Sequence, residues 1–174
     1  MKISVEKAAK IIKKGGVVVY PTDTVYGLGA NALDEKAVKK VFEMKKRDFS
    51  KPISIIVRDI EMAKQVASFG RDIEEKLKKL LPGPVTVILF KKKILPDILT
   101  AGSNKVGIRI PNCKFTQALM QRLDFPITTT SANISGEPIE GKPSTVIDLT
   151  GKEPKILRVG PVTKNELKEI FKNL

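Results

Sequence analysis

The chain has 174 residues, 41% hydrophobic and 29% charged, with 32 Lys and Arg against 19 Asp and Glu for a net charge of +13. It contains no His, no Trp and one Cys, Cys113, which excludes histidine acid/base catalysis, Cys–His nucleophile pairs, zinc clusters and an internal disulfide. A chain of this size fits one domain, expected to span 1–174, that buries roughly two-thirds of its unfolded surface; the positive balance favours anionic partners such as nucleotides, nucleic acid or acidic membrane surfaces, unless it serves solubility or thermal adaptation.

The opening stretch MKISVEKAAKII reads as an amphipathic helix capped by Ser4, with Val5, Ala8, Ile11 and Ile12 at helical spacing and Gly15–Gly16 as its stop. A short buried strand, Val17–Tyr20, leads into PTDTVYGLG (21–29), where Gly27 and Gly29 are expected to let the chain turn. Asp34 caps the helix DEKAVKKVFEMKKR, whose Ala37, Val38, Val41 and Phe42 share a face. The continuous apolar run Ile53–Val57 has strand length and is expected inside a covered sheet. Helices follow from Asp59 and from about Arg71, the second ending at the LPGP breaker (81–84). Strands are then expected at 85–90, 105–110, 126–133 and 155–159, with helices at 115–123 and over the final TKNELKEIFKNL; 144–149 fits either helix or strand. Residues 102–104 and 135–144 read as surface loops. Strands and helices alternate, which predicts an α/β sheet covered by helices. No apolar run approaches the roughly 20 residues a membrane span needs, so a cytoplasmic location without membrane contact is expected.

Four strands end in polar or cationic residues: Thr22, Asp23 and Thr24 after the first, Arg109 on KVGIRI, Thr128 to Asn133 after Pro126–Ile127, and Arg158 on KILRV. Ligands of open α/β sheets collect where strand ends meet their loops, so convergence of these ends would form one anion-binding cavity. Only six of the cations are Arg, the residue whose planar fork suits phosphate and carboxylate. A fifth cationic segment, MKKRDFSKP (44–52), carries Lys45, Lys46 and Arg47 in a last helical turn, where they complement the helix dipole, but dipole chemistry does not explain Lys51 in the following loop. The Walker pattern and the GxGxxG spacing are both absent, so a bound nucleotide would be held by side-chain cations rather than by a glycine cradle. In TTTSAN, Thr residues are ordinary strand formers, yet Ser131 and Asn133 lie two apart in an extended chain and offer a hydroxyl and an amide to one side.

Taken together, PTDTVYGLG, Lys45-Lys46-Arg47 with Lys51-Pro52, LPGPVT, VGIRIP and TSANISGEP resemble the YrdC/Sua5 family of threonylcarbamoyl-adenylate synthases, in the family's order and over about residues 5 to 160. The resemblance implies a twisted mixed α/β sheet flanked by helices around a basic concave cavity. It implies an enzyme that joins ATP, L-threonine and bicarbonate into L-threonylcarbamoyl-AMP with release of pyrophosphate, Mg²⁺ entering with ATP. The product serves threonylcarbamoyladenosine formation at position 37 of tRNAs reading ANN codons, through a downstream threonylcarbamoyl-transferase complex. The family's catalytic set falls on Lys45, Arg47, Ser131 and Asn133. Arg47, Lys51, Asn133 and Arg158 would meet ATP, whereas Thr24, Arg109 and Ser131 would hold L-threonine, Arg109 as a carboxylate fork. Lys45 is assigned more loosely, to the carbamate or the phosphates.

The sequence also departs from the family pattern. IEGKPST stands where a shorter Ser-Pro-Thr turn is expected on the nucleotide, leaving Ser144 or Thr145 for that contact. Position 51 is Lys where longer relatives often carry Asn, and the chain is expected to be the short form without the carboxyl-terminal domain of the Sua5 subgroup. Two rival readings stand beside the enzyme. One is a module that grips double-stranded RNA or tRNA by charge without catalysis, whose binding would weaken steeply with salt. The other is carbamoyl-adenylate chemistry of the kind found in hydrogenase-maturation carbamoyltransferases, which a chain with one Cys fits poorly.

Overall fold

The computed structural model describes residues 3–174, so Met1 and Lys2 of the expected amphipathic stretch lie outside the described residues. Local side-chain caps start the helices where the sequence places them. The Ser4 hydroxyl accepts the Lys7 amide at 3.2 Å and opens α1 (Val5–Lys13). Asp34 accepts the amides of Lys36 and Ala37 at the start of α2 (Glu35–Lys45), and Asp59 accepts that of Met62 at the start of α3 (Ile60–Val66). α4 (Arg71–Leu80) and α5 (Lys114–Met120) follow, and a reciprocal Thr163–Glu166 capping box opens α6 (Lys164–Ile170).

The strands are β1 (Val18–Tyr20), β2 (Gly27–Gly29), β3 (Ser54–Ile56), β4 (Ala67–Ser68), β5 (Val85–Lys91), β6 (Lys105–Arg109), β7 (Ile127–Ser131), β8 (Thr145–Asp148) and β9 (Lys155–Arg158). They form one mixed sheet ordered β1-β2-β7-β3-β6-β5-β8-β9, with β4 paired to β5. The β3–β6 and β5–β8 pairs are parallel, and every other pair is antiparallel. Ile53, Ile55, Ile56 and Val57 are buried, as a strand between two others requires. Tyr20, Phe42, Ile12, Met62 and Leu89 complete the centre of the core. The ambiguous 144–149 segment is a strand because parallel pairing with β5 supplies its hydrogen bonds.

Gly27 and Gly29 do not turn the chain. They form β2, inserted between β1 and β7, and the reason is volume: a Cβ on Gly29 would sit 2.6 Å from the ring of buried Tyr20, and one on Gly27 3.0 Å from it. The two glycines make room for a tyrosine whose hydroxyl donates to the Thr128 carbonyl at 3.0 Å. A short 3-10 helix (Asp97–Thr100) and β4 are further elements that local pattern did not indicate. Among the described residues no helix is long and apolar enough to cross a membrane.

Candidate active site

The ends of β1, β6, β7 and β9 and the carboxyl end of α2 converge on a cavity of about 210 Å³. Its polar wall carries Thr24, Arg47, Arg109, Ser131, Ser144 and Arg158, while Val25, Pro52, Ile53 and Ile139 supply apolar surface. Three of the six arginines therefore share one space. Two of the others make ordinary pairs outside it, Arg58 with Asp59 and Arg122 with Glu6.

Of the cavity arginines, Arg109 is only 6% exposed although it terminates a strand. Its Nη2 donates to Asp23 Oδ1 at 2.8 Å and to Thr24 Oγ1 at 3.1 Å, while its Nε is buried without a partner. Asp23 Oδ2 accepts the Asn112 amide at 2.8 Å, so one carboxylate ties the β1 exit loop to the β6 exit loop. Burial draws the Arg109 guanidinium below its usual range, the Asp23 charge opposes that shift, and the Arg158 charge adds to it. A second knot forms around Thr22, whose hydroxyl donates to the Val25 carbonyl at 2.7 Å and accepts the Thr24 amide at 3.1 Å.

The other two cavity arginines are Arg47 and Arg158. α2 ends at Lys46 in the left-handed conformation (φ 49°), which throws Arg47 back toward the cavity, where Nε donates to the Lys51 carbonyl and Nη2 to the Pro52 carbonyl. Arg158 Nε donates to the Ser144 carbonyl at 2.9 Å and Nη2 to the Ser144 hydroxyl at 3.3 Å. That hydroxyl is also 2.7 Å from Thr86 Oγ1. Among the described residues no carboxylate pairs with Arg47 or Arg158. Both are positioned by neutral oxygens and keep their full charge for the cavity.

Lys45 lies behind this wall rather than in it. Its Nζ is held by the Ser131 carbonyl, by the Asn133 carbonyl at 2.7 Å and by Asn133 Oδ1 at 3.1 Å, and the residue is 1% exposed. Burial, assisted by the neighbouring Arg47 charge, lowers its pKa to about 8. Ser131 Oγ donates to Asn133 Oδ1, so the two side chains do share a side of the extended chain. Ser131 lines the cavity, whereas Asn133 lines an adjoining hollow that shares Val25, Ser131 and Ile139 with it. Lys51 is exposed and outside the lining, contributing its carbonyl to Arg47. Of the two residues left open in PST, Ser144 lines the cavity. Thr145 is buried as a clamp that donates to the Val162 carbonyl and accepts the amides of Gly160 and Val162.

Residue patterns overlooked Ser54 and Thr86, which line the cavity together with Thr129 of the Thr128–Asn133 run. A signal was present for the first two, because each interrupts an apolar strand, ISIIV and VTVILF, and a buried hydroxyl requires a partner or a ligand. Asp23 was visible as a strand-end carboxylate but not as the partner of an arginine 86 positions away.

Fold and cavity together define an α/β protein built around an arginine-lined cavity. A family model named Sua5_yciO_yrdC, described as telomere recombination, matches residues 10–142. The chain belongs to this Sua5/YciO/YrdC family. It is 36% identical over 190 residues to a threonylcarbamoyl-AMP synthase of Pyrococcus abyssi and 32% identical over 194 residues to one of Bacillus subtilis, alignments that cover 94% and 96% of this chain. It spans 56% of the length of each of these curated relatives. The crystal structure of Pyrococcus abyssi Sua5 complexed with L-threonine superposes with a TM-score of 0.93 at 35% identity, covering 100% of this chain and 60% of that one.

Proposed function

We propose that this chain is an L-threonylcarbamoyladenylate synthase, making L-threonylcarbamoyl-AMP and pyrophosphate from ATP, L-threonine and bicarbonate. The observation that carries the reading is the asymmetry of the cavity: one arginine charge-matched by a buried carboxylate, and two held only by neutral oxygens. A zwitterionic amino acid suits the charge-matched arginine and a polyphosphate the other two. The names of the relatives, and the L-threonine bound to the Pyrococcus abyssi protein, support the same assignment.

The chemistry needs no protein nucleophile. The threonine amine and bicarbonate form a carbamate with loss of water, a carbamate oxygen attacks the α-phosphorus, and pyrophosphate leaves. Negative charge crowds one small space at that moment, and positioning with electrostatic stabilisation is the main contribution a protein makes to such transfers. Arg47 and Arg158 meet the phosphates, with Lys51 at the rim. Ser131 faces phosphate and amino acid, Asn133 backs it from the adjoining hollow with Lys45 holding both, and Arg109 and Thr24 hold L-threonine. Mg²⁺ arrives on ATP, which fits the donor set: among the described residues no group of three His, Cys, Asp or Glu side chains could hold a metal, and Asp23 is already bonded twice. The adenylate then supplies a threonylcarbamoyl-transferase complex acting on tRNA in the cytoplasm.

The test is to incubate the purified chain with ATP, Mg²⁺, bicarbonate and L-threonine and measure pyrophosphate together with the mass of the adenylate. Threonine-dependent release of both is expected. Folded protein that yields neither overturns the reading.

A further inference from the structure

The hydrogen bonds around Thr22 have only one consistent direction. A carbonyl cannot donate, so the bond from Thr22 Oγ1 to the Val25 carbonyl uses the single proton of that hydroxyl. Both lone pairs of Thr22 are then filled, one by the Thr24 amide at 3.1 Å and one by the Thr24 hydroxyl at 3.1 Å. The Thr24 proton therefore points at Thr22 and away from any ligand. Thr24 Oγ1 also accepts Nη2 of Arg109 and keeps one unused lone pair, on a side chain that lines the cavity. Thr22 itself does not line the cavity.

We infer that Thr22 is a positioning residue that makes Thr24 a pure hydrogen-bond acceptor toward the cavity, so that Thr24 receives the amino group of the bound amino acid. The inference rests on the proposed threonine subsite. A Thr24 acceptor bonded directly to the Arg109 guanidinium places an acceptor and a cationic donor side by side, matching the amino and carboxylate groups that an α-amino acid carries on a single carbon. Both Nη2 protons of Arg109 are committed, to Asp23 and Thr24, which leaves Nη1 to meet the carboxylate in a single-armed contact.

The polarity matters for the reaction because the amine lone pair must attack bicarbonate. A Thr24 hydroxyl free to rotate would donate to that lone pair and blunt the nucleophile. A Thr24 that only accepts binds an amine N–H instead, leaving the lone pair free and aimed away from the protein. Thr22 removes the wrong option by filling it beforehand.

The decisive comparison is steady-state kinetics of the wild type, Thr22→Val, Thr22→Ala and Thr22→Ser at saturating L-threonine, with cooperative unfolding checked for each. Thr22→Val keeps the side-chain shape and removes the acceptor; it and Thr22→Ala are expected to lower kcat about 10-fold, the effect of one misdirected hydrogen bond, with the KM for ATP changed by less than about 2-fold. Thr22→Ser keeps the hydroxyl and is expected to restore kcat. An unchanged kcat in both Val and Ala variants, a rise in KM for L-threonine alone, or equal damage to ATP and threonine use overturns the inference. Absence of any threonine-dependent product in the wild type overturns the underlying synthase reading instead.

Discussion

Arg109 and Arg158 face the same cavity but are held by different chemistry. Arg109 is buried and matched by Asp23 at 2.8 Å, with Thr24 as a second acceptor. Arg158 is exposed and held by the carbonyl and hydroxyl of Ser144. A buried guanidinium without a counter-charge is costly, so Asp23 is a condition of placing an arginine at that depth. Partial burial also draws the Arg158 guanidinium below its usual range, but no carboxylate among the described residues neutralises it. The contrast teaches that two arginines in one pocket need not be equivalent: one is compensated by a carboxylate, and the other is held only by neutral oxygens.

Removing the matched arginine is the harshest way to break this comparison. Arg109→Ala leaves Asp23 buried without its ion partner and is expected to cost about 3 kcal/mol of stability, read from urea unfolding. L-threonine affinity is expected to fall about 30-fold, read by calorimetry, with ATP affinity nearly unchanged. Equal loss of both ligands contradicts the division of the cavity.

Arg158→Ala is the milder counterpart. It strands no carboxylate, so stability is expected to move by less than about 1 kcal/mol, while ATP affinity falls about 10-fold and becomes less sensitive to salt. A destabilisation as large as that of Arg109→Ala would show that the two arginines are not held differently.

The smallest effect sharpens the picture of the cavity wall. Lys45 has a folded-state pKa of about 8, below the ordinary lysine value, so above pH 8 the unfolded chain binds more protons at this site than the folded one. Its contribution therefore makes stability rise with pH between about 8 and the usual lysine range near 10.4, and the penalty is fully present below pH 8. Unfolding measured across that window is expected to show this slope in the wild type and a flatter one in Lys45→Met. Identical slopes would mean that the ammonium is not strained by its burial behind Ser131 and Asn133.

Much of the fold was legible because its signals are local. Ser4, Asp34, Asp59 and Thr163 announce helix starts by offering an oxygen to amides two or three residues on, and apolar runs such as ISIIV mark covered strands. β2 was illegible for the opposite reason: nothing within GLG favours a strand, and its pairing depends on Tyr20 and on β7, about a hundred residues away. The candidate site divides the same way. Thr24, Arg47, Arg109, Ser131 and Arg158 stand out as strand-end or helix-end polar groups and line the cavity. Lys45, Lys51 and Asn133 carry equally plain signals, yet the structure buries the first, leaves the second exposed outside the lining and puts the third in the neighbouring hollow.

The sequence by itself determined the residue chemistry: a histidine-free, arginine-sparing, lysine-rich α/β chain whose polar groups gather at element ends, with the motif order of its family. Only the tertiary structure decided which cation is neutralised and which lysine is a strut. Those properties depend on partners 86 to 88 positions apart in the chain, such as Asp23 with Arg109 and Lys45 with Asn133. Charge compensation at a site is set by distance in space, and no local spacing rule reports it.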